Sequence, residues 1–374
     1  MSPVTLEALM SEYQTQKKLN YTVRFRNVLS DLPDFCQLYF RASEPTTSVL
    51  TRYGYAVDLR SFFRFLTSGA IPSFSGKTPQ AITLDDLKLL RSLDIELYLE
   101  HISMYRSETA EGTKLVENNE RAKARKLSAI RALFKYLYKK SLIETNCAAL
   151  VDTPKLHEKA IIRLDANEVA DLLDTTEQGS GMTKNQRYYH DATKVRDVAI
   201  LSLFLGTGIR ISELVGLDLN DIDFTNNQFV VTRKGGNQEV LAFGPEVQNA
   251  LLAYLGERRQ IIPLAGSEDA FFLSMQKRRI TPRAVENLVK KYAQLSTPLK
   301  KITPHKLRST YGTMLYQESG DIYLVADVLG HKDVNTTRKH YAAMTEDKSR
   351  QAAKYIKLRE EEATFLDPDD PQNA

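Results

Sequence analysis

Six side chains in the second half of the chain have the combined chemistry needed to act on an anionic phosphodiester. Five can carry positive charge and one is a phenol: Arg210, Lys234, His305, Arg308, His331 and Tyr341. An arginine offers a rigid fork of donors that matches two phosphate oxygens, and it stays charged at physiological pH. Lysine and histidine can supply or accept protons, and a tyrosine oxygen can hold a phosphate covalently. Because the sequence offers no competing carboxylate pair or metal-ligand cluster, neither a metal nor another cofactor is expected.

These residues lie in recognisable local contexts. Residues 206–214 combine a helix stop, a glycine turn and an arginine that opens the next helix. His305 and Arg308 are three positions apart, which puts both on one face of a helix. His331 follows a predicted helix end, and Tyr341 comes ten residues later. Each context alone is common in helical proteins, but their order, with a lysine hairpin between the two arginines, is specific.

Each residue also has a structural interpretation. Arg210 could pair with Glu213 at a helix start, and Lys234 could be an ordinary lysine of a hairpin turn. The two histidines could be structural as well, one beside Arg308 on its helix and the other at a helix end. Tyr341 is one of 18 tyrosines, and it is selected because a polar stretch, residues 335–340, leads to it.

Taken together, the residues resemble the tyrosine recombinase family, also called the phage integrase family, over nearly all of positions 164–357. The layout is most like a single-protein Xer-type recombinase. The resemblance implies that Arg210 and Arg308 grip the scissile phosphate. It also implies that Lys234 protonates the departing 5′ oxygen, and that Tyr341 is the nucleophile that forms a 3′-phosphotyrosyl link.

The resemblance assigns supporting roles to three further residues. His305 and His331 are expected to contact the phosphate, and His305 also to assist proton transfer from the nucleophile. Glu213 occupies the acidic position that braces the active site in the family. The family often has a histidine directly after the second arginine, whereas this chain has Ser309. That difference affects the surrounding hydrogen bonds and leaves the catalytic set complete.

The pattern predicts a mainly α-helical fold with a small β-sheet or hairpin (α+β). We expect a helical core-binding domain over residues 1–152, a linker over 153–163, a catalytic domain over 164–358 and a disordered acidic tail over 359–374. In the family, the two domains form a C-shaped clamp around DNA. In the family, the final helix of the catalytic domain commonly docks on a neighbouring subunit in a homotetramer that pairs two sites, although such a helix could instead fold back on its own domain.

Local patterns place the main elements. The first 150 residues or so look almost entirely helical, residues 176–189 read as a loop, and β-rich runs at 229–232 and 239–242 flank the lysine turn as a hairpin. Helices are expected over 195–205, 282–292, 304–317, 322–329 and 346–359.

The segment 121–140 carries eight bases and no acid. On a helix, its apolar residues share one face: Leu127, Ile130, Leu133, Phe134 and Leu137. Five of its bases share the other: Arg121, Arg125, Arg131, Lys135 and Lys139. A solvated outer face is one interpretation, but the lack of acids favours a surface that binds DNA phosphates. Arg283, near a predicted helix start, is another candidate for DNA contact.

Composition supports a DNA partner. The formal net charge is +4, but residues 359–374 carry −5, which leaves +9 on residues 1–358. The two cysteines, Cys36 and Cys147, cannot form a disulfide framework, and no signal peptide or membrane span is recognisable. We therefore expect a cytoplasmic, nucleoid-associated protein.

The favoured function is site-specific recombination of double-stranded DNA at an inverted-repeat site through a Holliday junction, as in Xer-type chromosome dimer resolution. An integrase or transposase of a mobile element would use the same chemistry, and a type IB topoisomerase would share the nucleophile. An architectural DNA-binding protein without catalysis is the alternative from another class. The sequence does not identify the target DNA or an accessory protein.

Overall fold

The computed structural model of the chain describes residues 12–109, 112–155, 162–233 and 237–330, together with Val334. The chain divides into two compact units, Met1–Lys159 and Ala160–Ala374. None of the helices in the described ranges is long and apolar enough to cross a membrane. The predicted helix over 346–359 and the acidic segment 359–374 lie outside the described residues.

The first unit is helical, with one antiparallel hairpin. Its elements are α1 (Glu12–Leu29), α2 (Phe35–Ser43), α3 (Val49–Phe65), α4 (Leu84–Leu87), α5 (Ser92–His101), β1 (Met104–Thr109), β2 (Gly112–Glu117) and α6 (Glu120–Lys139). The expectation of an almost entirely helical region was wrong at β1 and β2. There Tyr105 pairs with Val116, two residue types that favour strands, and the Tyr105 ring stacks on His101 at the end of α5.

The core of this unit is rich in aromatic residues, and α3 and α6 pack against each other. The rings of Phe62 and Tyr98 meet edge to face at 5.2 Å. The apolar face predicted for α6 is confirmed, because all five of its residues are buried: Leu127, Ile130, Leu133, Phe134 and Leu137. Asp58 of α3 is also fully buried, and it pairs with Arg125 and Lys126 of α6.

The second unit contains a cluster of helices and a three-stranded antiparallel sheet. Its elements are α7 (Ala166–Gln178), α8 (Lys184–Asp191), α9 (Lys194–Thr207), α10 (Ile211–Leu214), β3 (Ile222–Asp223), β4 (Gln228–Thr232), β5 (Gln238–Ala242), α11 (Pro245–Arg258), α12 (Pro282–Ser296), α13 (Pro304–Ser319) and α14 (Ile322–Val328). Helix α9 is buried over most of its length because it packs against α7, α11 and α13. The packing of α9 therefore fixes the position from which the turn to α10 begins.

The loop predicted over 176–189 is in part wrong. Helix α7 continues to Gln178, and α8 begins at Lys184. A capping box explains this start, because the Thr183 hydroxyl accepts from the Gln186 N–H while the Gln186 carboxamide oxygen accepts from the Thr183 N–H. A buried carboxylate then links helix α9 to α12, because Asp197 of α9 accepts a hydrogen bond from the Tyr292 hydroxyl of α12 at 2.9 Å.

The predicted β-hairpin is confirmed as β4 and β5, which pair from Gln228↔Ala242 to Thr232↔Gln238, and β3 adds a third strand. The predicted fold class is confirmed as well: the described residues are mainly helical, with small antiparallel sheets.

Candidate active site

Arg210 is positioned by the turn between α9 and α10. Helix α9 ends at Thr207, and Gly208 follows with a left-handed φ of 61°. Arg210 then caps α10: its backbone N–H donates to Oε2 of Glu213 and its Nη1 to Oε1, each at 2.9 Å. The Glu213 side chain is only 3% exposed, whereas that of Arg210 is 32% exposed. A buried carboxylate thus orients a guanidinium that remains accessible.

Arg210 and Arg308 meet at one carbonyl oxygen. Nη2 of Arg210 donates to the carbonyls of Leu329 and Gly330, at 3.1 Å each. Nη2 of Arg308 donates to the same Leu329 carbonyl, and its Nη1 donates to the carbonyl of Gly208. The fold therefore brings together two predicted site residues that are 98 positions apart in the sequence.

Helix α13 presents His305 and Arg308 one turn apart, as their spacing predicts. Arg308 is buried with 5% exposure, whereas His305 is exposed. Ser309, which stands where the family often has histidine, donates its hydroxyl to the His305 backbone carbonyl at 3.0 Å. That side chain is therefore used within its own helix.

Arg233 is a buried member of this cluster that the sequence analysis did not identify. Its Nη1 donates to both oxygens of Glu213, at 3.3 and 3.2 Å. Its Nε and Nη2 donate to the two oxygens of Glu239, at 2.6 and 2.9 Å. Nη2 also donates to the Val328 carbonyl at 3.2 Å. Its position directly before Lys234, with an acid six residues later across the hairpin, is the signal that could have indicated it.

The ion pair between Arg233 and Glu239 shifts the pKa values of both side chains. The Arg233 guanidinium lowers the pKa of the Glu239 carboxyl, chiefly through their hydrogen bonds. Burial acts to lower the pKa of Arg233, but its bonds to Glu239 and Glu213 outweigh burial and raise it. Nearby, burial raises the pKa of Tyr311, whose ring packs close to Gly208. The Glu239 carboxylate and the Arg233 guanidinium are therefore held in their charged forms.

Three of the predicted catalytic residues, Lys234, His331 and Tyr341, lie outside the described residues. The ends of the turn that contains Lys234 are described: the Arg233 N–H donates to the Asn237 carbonyl at 2.8 Å. In the described ranges, no three His, Cys, Asp or Glu side chains are grouped as metal ligands.

The bases predicted to face DNA on α6 fall into two groups. Arg121, Lys135 and Lys139 are exposed. Arg131 is instead bound to its own unit: its Nε donates to the Ala148 carbonyl at 3.2 Å, and Nη1 donates to the Thr153 hydroxyl at 2.6 Å. These bonds give Arg131 a structural role that helical periodicity could not reveal.

Two other arginines that were predicted to contact DNA also have intramolecular partners. Arg125 remains half-exposed, but its Nη1 donates to the buried Asp58 carboxylate. Arg283, at the start of α12, is 80% exposed and pairs with Glu286 one turn further on at 3.2 Å. Both guanidinium groups are accessible from solvent, so DNA contact by either stays a prediction.

Comparison with known proteins gives matches across both units. Residues 162–348 match the family model described as the phage integrase family. The tyrosine recombinase XerC of Thermodesulfovibrio yellowstonii is 34% identical over 219 residues, which are 58% of this chain and 69% of the relative.

Solved structures share the fold. The XerH site-specific recombinase bound to palindromic difH substrate aligns with a TM-score of 0.62 and 19% identity, over 90% of this chain and 89% of that chain. The Tn1549 transposon integrase bound to transposon right end DNA aligns with a TM-score of 0.59 and 19% identity, over 86% of this chain and 99% of that chain.

Proposed function

The chain belongs to the phage integrase family and is a tyrosine recombinase that performs site-specific DNA recombination, and from this premise we propose its catalytic residues and biological role. The proposed role is Xer-type resolution of chromosome dimers, because the relative that it resembles at 34% identity is named a XerC recombinase. The substrate would be a short inverted-repeat site in chromosomal DNA, bound by two protomers. The enzyme would then act in the cytoplasm, at the nucleoid.

One observation carries the catalytic assignment: Arg210 and Arg308 both donate to the Leu329 carbonyl. Two guanidinium groups that share an acceptor are close enough to share a phosphate. Attack on a phosphodiester builds negative charge on the non-bridging oxygens, and charged donors placed in advance stabilise it. Glu213 supports this arrangement because it fixes the Arg210 side chain by an ion pair of 2.9 Å.

The proposed reaction exchanges one phosphate ester for another. The Tyr341 phenol passes its proton to the His305 imidazole as its oxygen attacks phosphorus, a bond from phosphorus to the tyrosine oxygen forms, and the bond to the 5′ oxygen breaks. Lys234 supplies the proton that the 5′ oxygen takes up, while His305 and His331 bind the phosphate. Because phosphorus stays in a phosphodiester, now linked to tyrosine, a 5′ hydroxyl can attack it, displace the tyrosine oxygen and rejoin the strand.

A nicked suicide substrate tests this assignment. Cleavage of such a site releases a short fragment, so the covalent protein–DNA adduct accumulates. We expect an adduct with the unmodified chain and none with Tyr341→Phe, while Tyr316→Phe on α13 is the matched control that should keep it. Adduct formation by Tyr341→Phe, or the lack of any adduct on the bound site, would contradict the assignment. The second result would favour an architectural DNA-binding protein.

We further propose that the enzyme acts as a homotetramer on two sites, through exchange of the helix expected over residues 346–359. Truncation after Met344 should weaken the pairing of two sites more than the binding of one. Unchanged cooperative pairing would reject the exchange. DNA recovered with the protein from its source cell would distinguish a chromosomal resolution site from the ends of a mobile element.

A further inference from the structure

Arg233 joins three segments of the second unit, and each segment leads into a candidate catalytic residue. Its bonds to Glu213 reach the helix start that carries Arg210. Its bond to the Val328 carbonyl reaches the end of α14, three residues before His331. Arg233 itself directly precedes Lys234 in the chain.

The contacts of the Arg233 guanidinium fix the orientation of its plane as well as its position. Nε and Nη2 form a two-pronged pair with the Glu239 carboxylate, a geometry that lysine cannot reproduce. Gly330 lies close against the guanidinium, since a Cβ on Gly330 would be 3.1 Å from Cζ of Arg233. The side chain is 9% exposed, so its charge is balanced by Glu213 and Glu239 in place of water.

The same contacts fix the base of the hairpin. Glu239 lies on β5, so its pair with Arg233 links the two sides of the hairpin below the turn. The Arg233 N–H to Asn237 carbonyl bond closes that turn, with three residues between the two. The residue directly before Lys234 is therefore anchored, and it is bound to the Glu213 carboxylate that also holds Arg210.

A buried arginine that served stability alone would need only one carboxylate partner. The bonds of Arg233 instead connect two carboxylates and a helix-end carbonyl, which come from different elements. We propose, resting on the function proposed above, that Arg233 is a positioning residue that holds the Lys234 turn in register with Arg210 and acts on the reaction through Lys234.

The leaving group separates this role from a general structural one. A 5′ oxygen must gain a proton as its bond to phosphorus breaks, whereas a sulfur in its place leaves as a thiolate without one. Arg233→Lys keeps the charge but loses the fork. Because a misplacement of about 1 Å can cost about 100-fold in rate, we expect cleavage of the ordinary strand to fall by about 100-fold. Cleavage of a strand with a 5′-bridging sulfur should fall by less than about 5-fold, since general acid catalysis contributes roughly 100-fold or more.

The measured quantity is the ratio of the two cleavage rates, in the full chain on the same site. Lys234→Ala should raise the sulfur-to-oxygen ratio at least as much as Arg233→Lys. Arg258→Lys is the matched control: it removes another buried fork, which donates to the carbonyls of Ala270 and Glu268, and should leave the ratio unchanged. Equal losses on both substrates, or no loss on either, would overturn the role of Arg233.

If Arg233→Lys does not fold, Glu239→Gln gives a second test, because it weakens the anchor and leaves Arg233 in place. Glu239→Gln should raise the sulfur-to-oxygen ratio of cleavage rates by a smaller factor than Arg233→Lys does. An unchanged ratio would contradict the positioning role of the Arg233–Glu239 pair. A different result would contradict the proposed function itself: the unmodified chain would form no Tyr341-dependent adduct on either the ordinary strand or the strand with a 5′-bridging sulfur. A normal Lys234→Ala effect with no Arg233→Lys effect would reject only the positioning role.

Discussion

Replacement of Gly208 by alanine is expected to weaken the fold through two effects that add. Gly208 has a left-handed φ of 61°, a conformation that costs other residues about 1–2 kcal/mol. The new Cβ would lie 2.5 Å from Cδ1 of Tyr311 and 2.9 Å from Cδ2 of Leu329, closer than carbon atoms approach. Such overpacking costs roughly 1–3 kcal/mol. The two effects together predict a loss of about 2–5 kcal/mol in the free energy of unfolding.

The same substitution should reduce cleavage because it moves both arginine sites. Arg308 donates to the Gly208 carbonyl, and both Arg210 and Arg308 donate to Leu329, against which the new methyl group would press. A displacement of about 1 Å at the phosphate would lower the rate of adduct formation by about 100-fold. Urea unfolding followed by far-UV circular dichroism gives the stability, since the chain has no tryptophan. The nicked substrate gives the rate.

Gly256→Ala is the control for this prediction. Gly256 is exposed on α11, and a Cβ there meets nothing within 4 Å. Alanine in a helix is more favourable than glycine, so this variant should gain about 0.5–1 kcal/mol and cleave normally. If Gly208→Ala unfolds within about 0.5 kcal/mol of the unmodified chain, or forms adduct at the full rate, the packing of this turn does not hold the arginines in place.

Three further substitutions test charged side chains. Because Arg233 lowers the folded-state pKa of Glu239 below its ordinary value of 4.5, their pair stabilises the fold above pH 4.5 and is lost as the pH falls through the lowered value. Glu239→Gln should therefore reduce the fall in the free energy of unfolding at acidic pH. Parallel pH profiles of the variant and the unmodified chain would contradict a stabilising Arg233–Glu239 pair. Arg131→Ala should cost about 1–3 kcal/mol, since its donors bond its own unit. Lys135→Ala should leave the free energy of unfolding unchanged but reduce the magnitude of the negative slope of log DNA affinity against log salt by about one; the reverse pattern would exchange the roles of the two residues.

Local sequence patterns predicted what local geometry determines. The face of α6 follows from helical periodicity, and the β4–β5 hairpin follows from a glycine-rich turn between strand formers. Arg210 was identifiable because a glycine turn and a helix start surround it in the sequence. Its pairing with Glu213, three residues later, is the spacing of a capping box.

Partners that come from distant segments could not be predicted in this way. Arg233 bonds a carbonyl 95 residues away, and Arg308 bonds one 100 residues away. No periodicity encodes such contacts, which depend on how α9, α13 and α14 pack. Arg131 shows a related limit of helical periodicity: its helical position predicted DNA contact, which stays a prediction, but gave no sign that carbonyls after the end of α6 accept from its side chain.

The end of α14 explains how this arrangement suits an anionic substrate. Three successive carbonyls, of Val328, Leu329 and Gly330, accept bonds from Arg233, Arg210 and Arg308. A helix end favours cations, and carbonyls hold a guanidinium without cancelling its charge. Two buried or half-buried glutamates balance two of the three arginines, so these five side chains sum to one positive charge. A phosphodiester carries one negative charge, which would offset the net charge of these five side chains at the place where the fold has already oriented the donors.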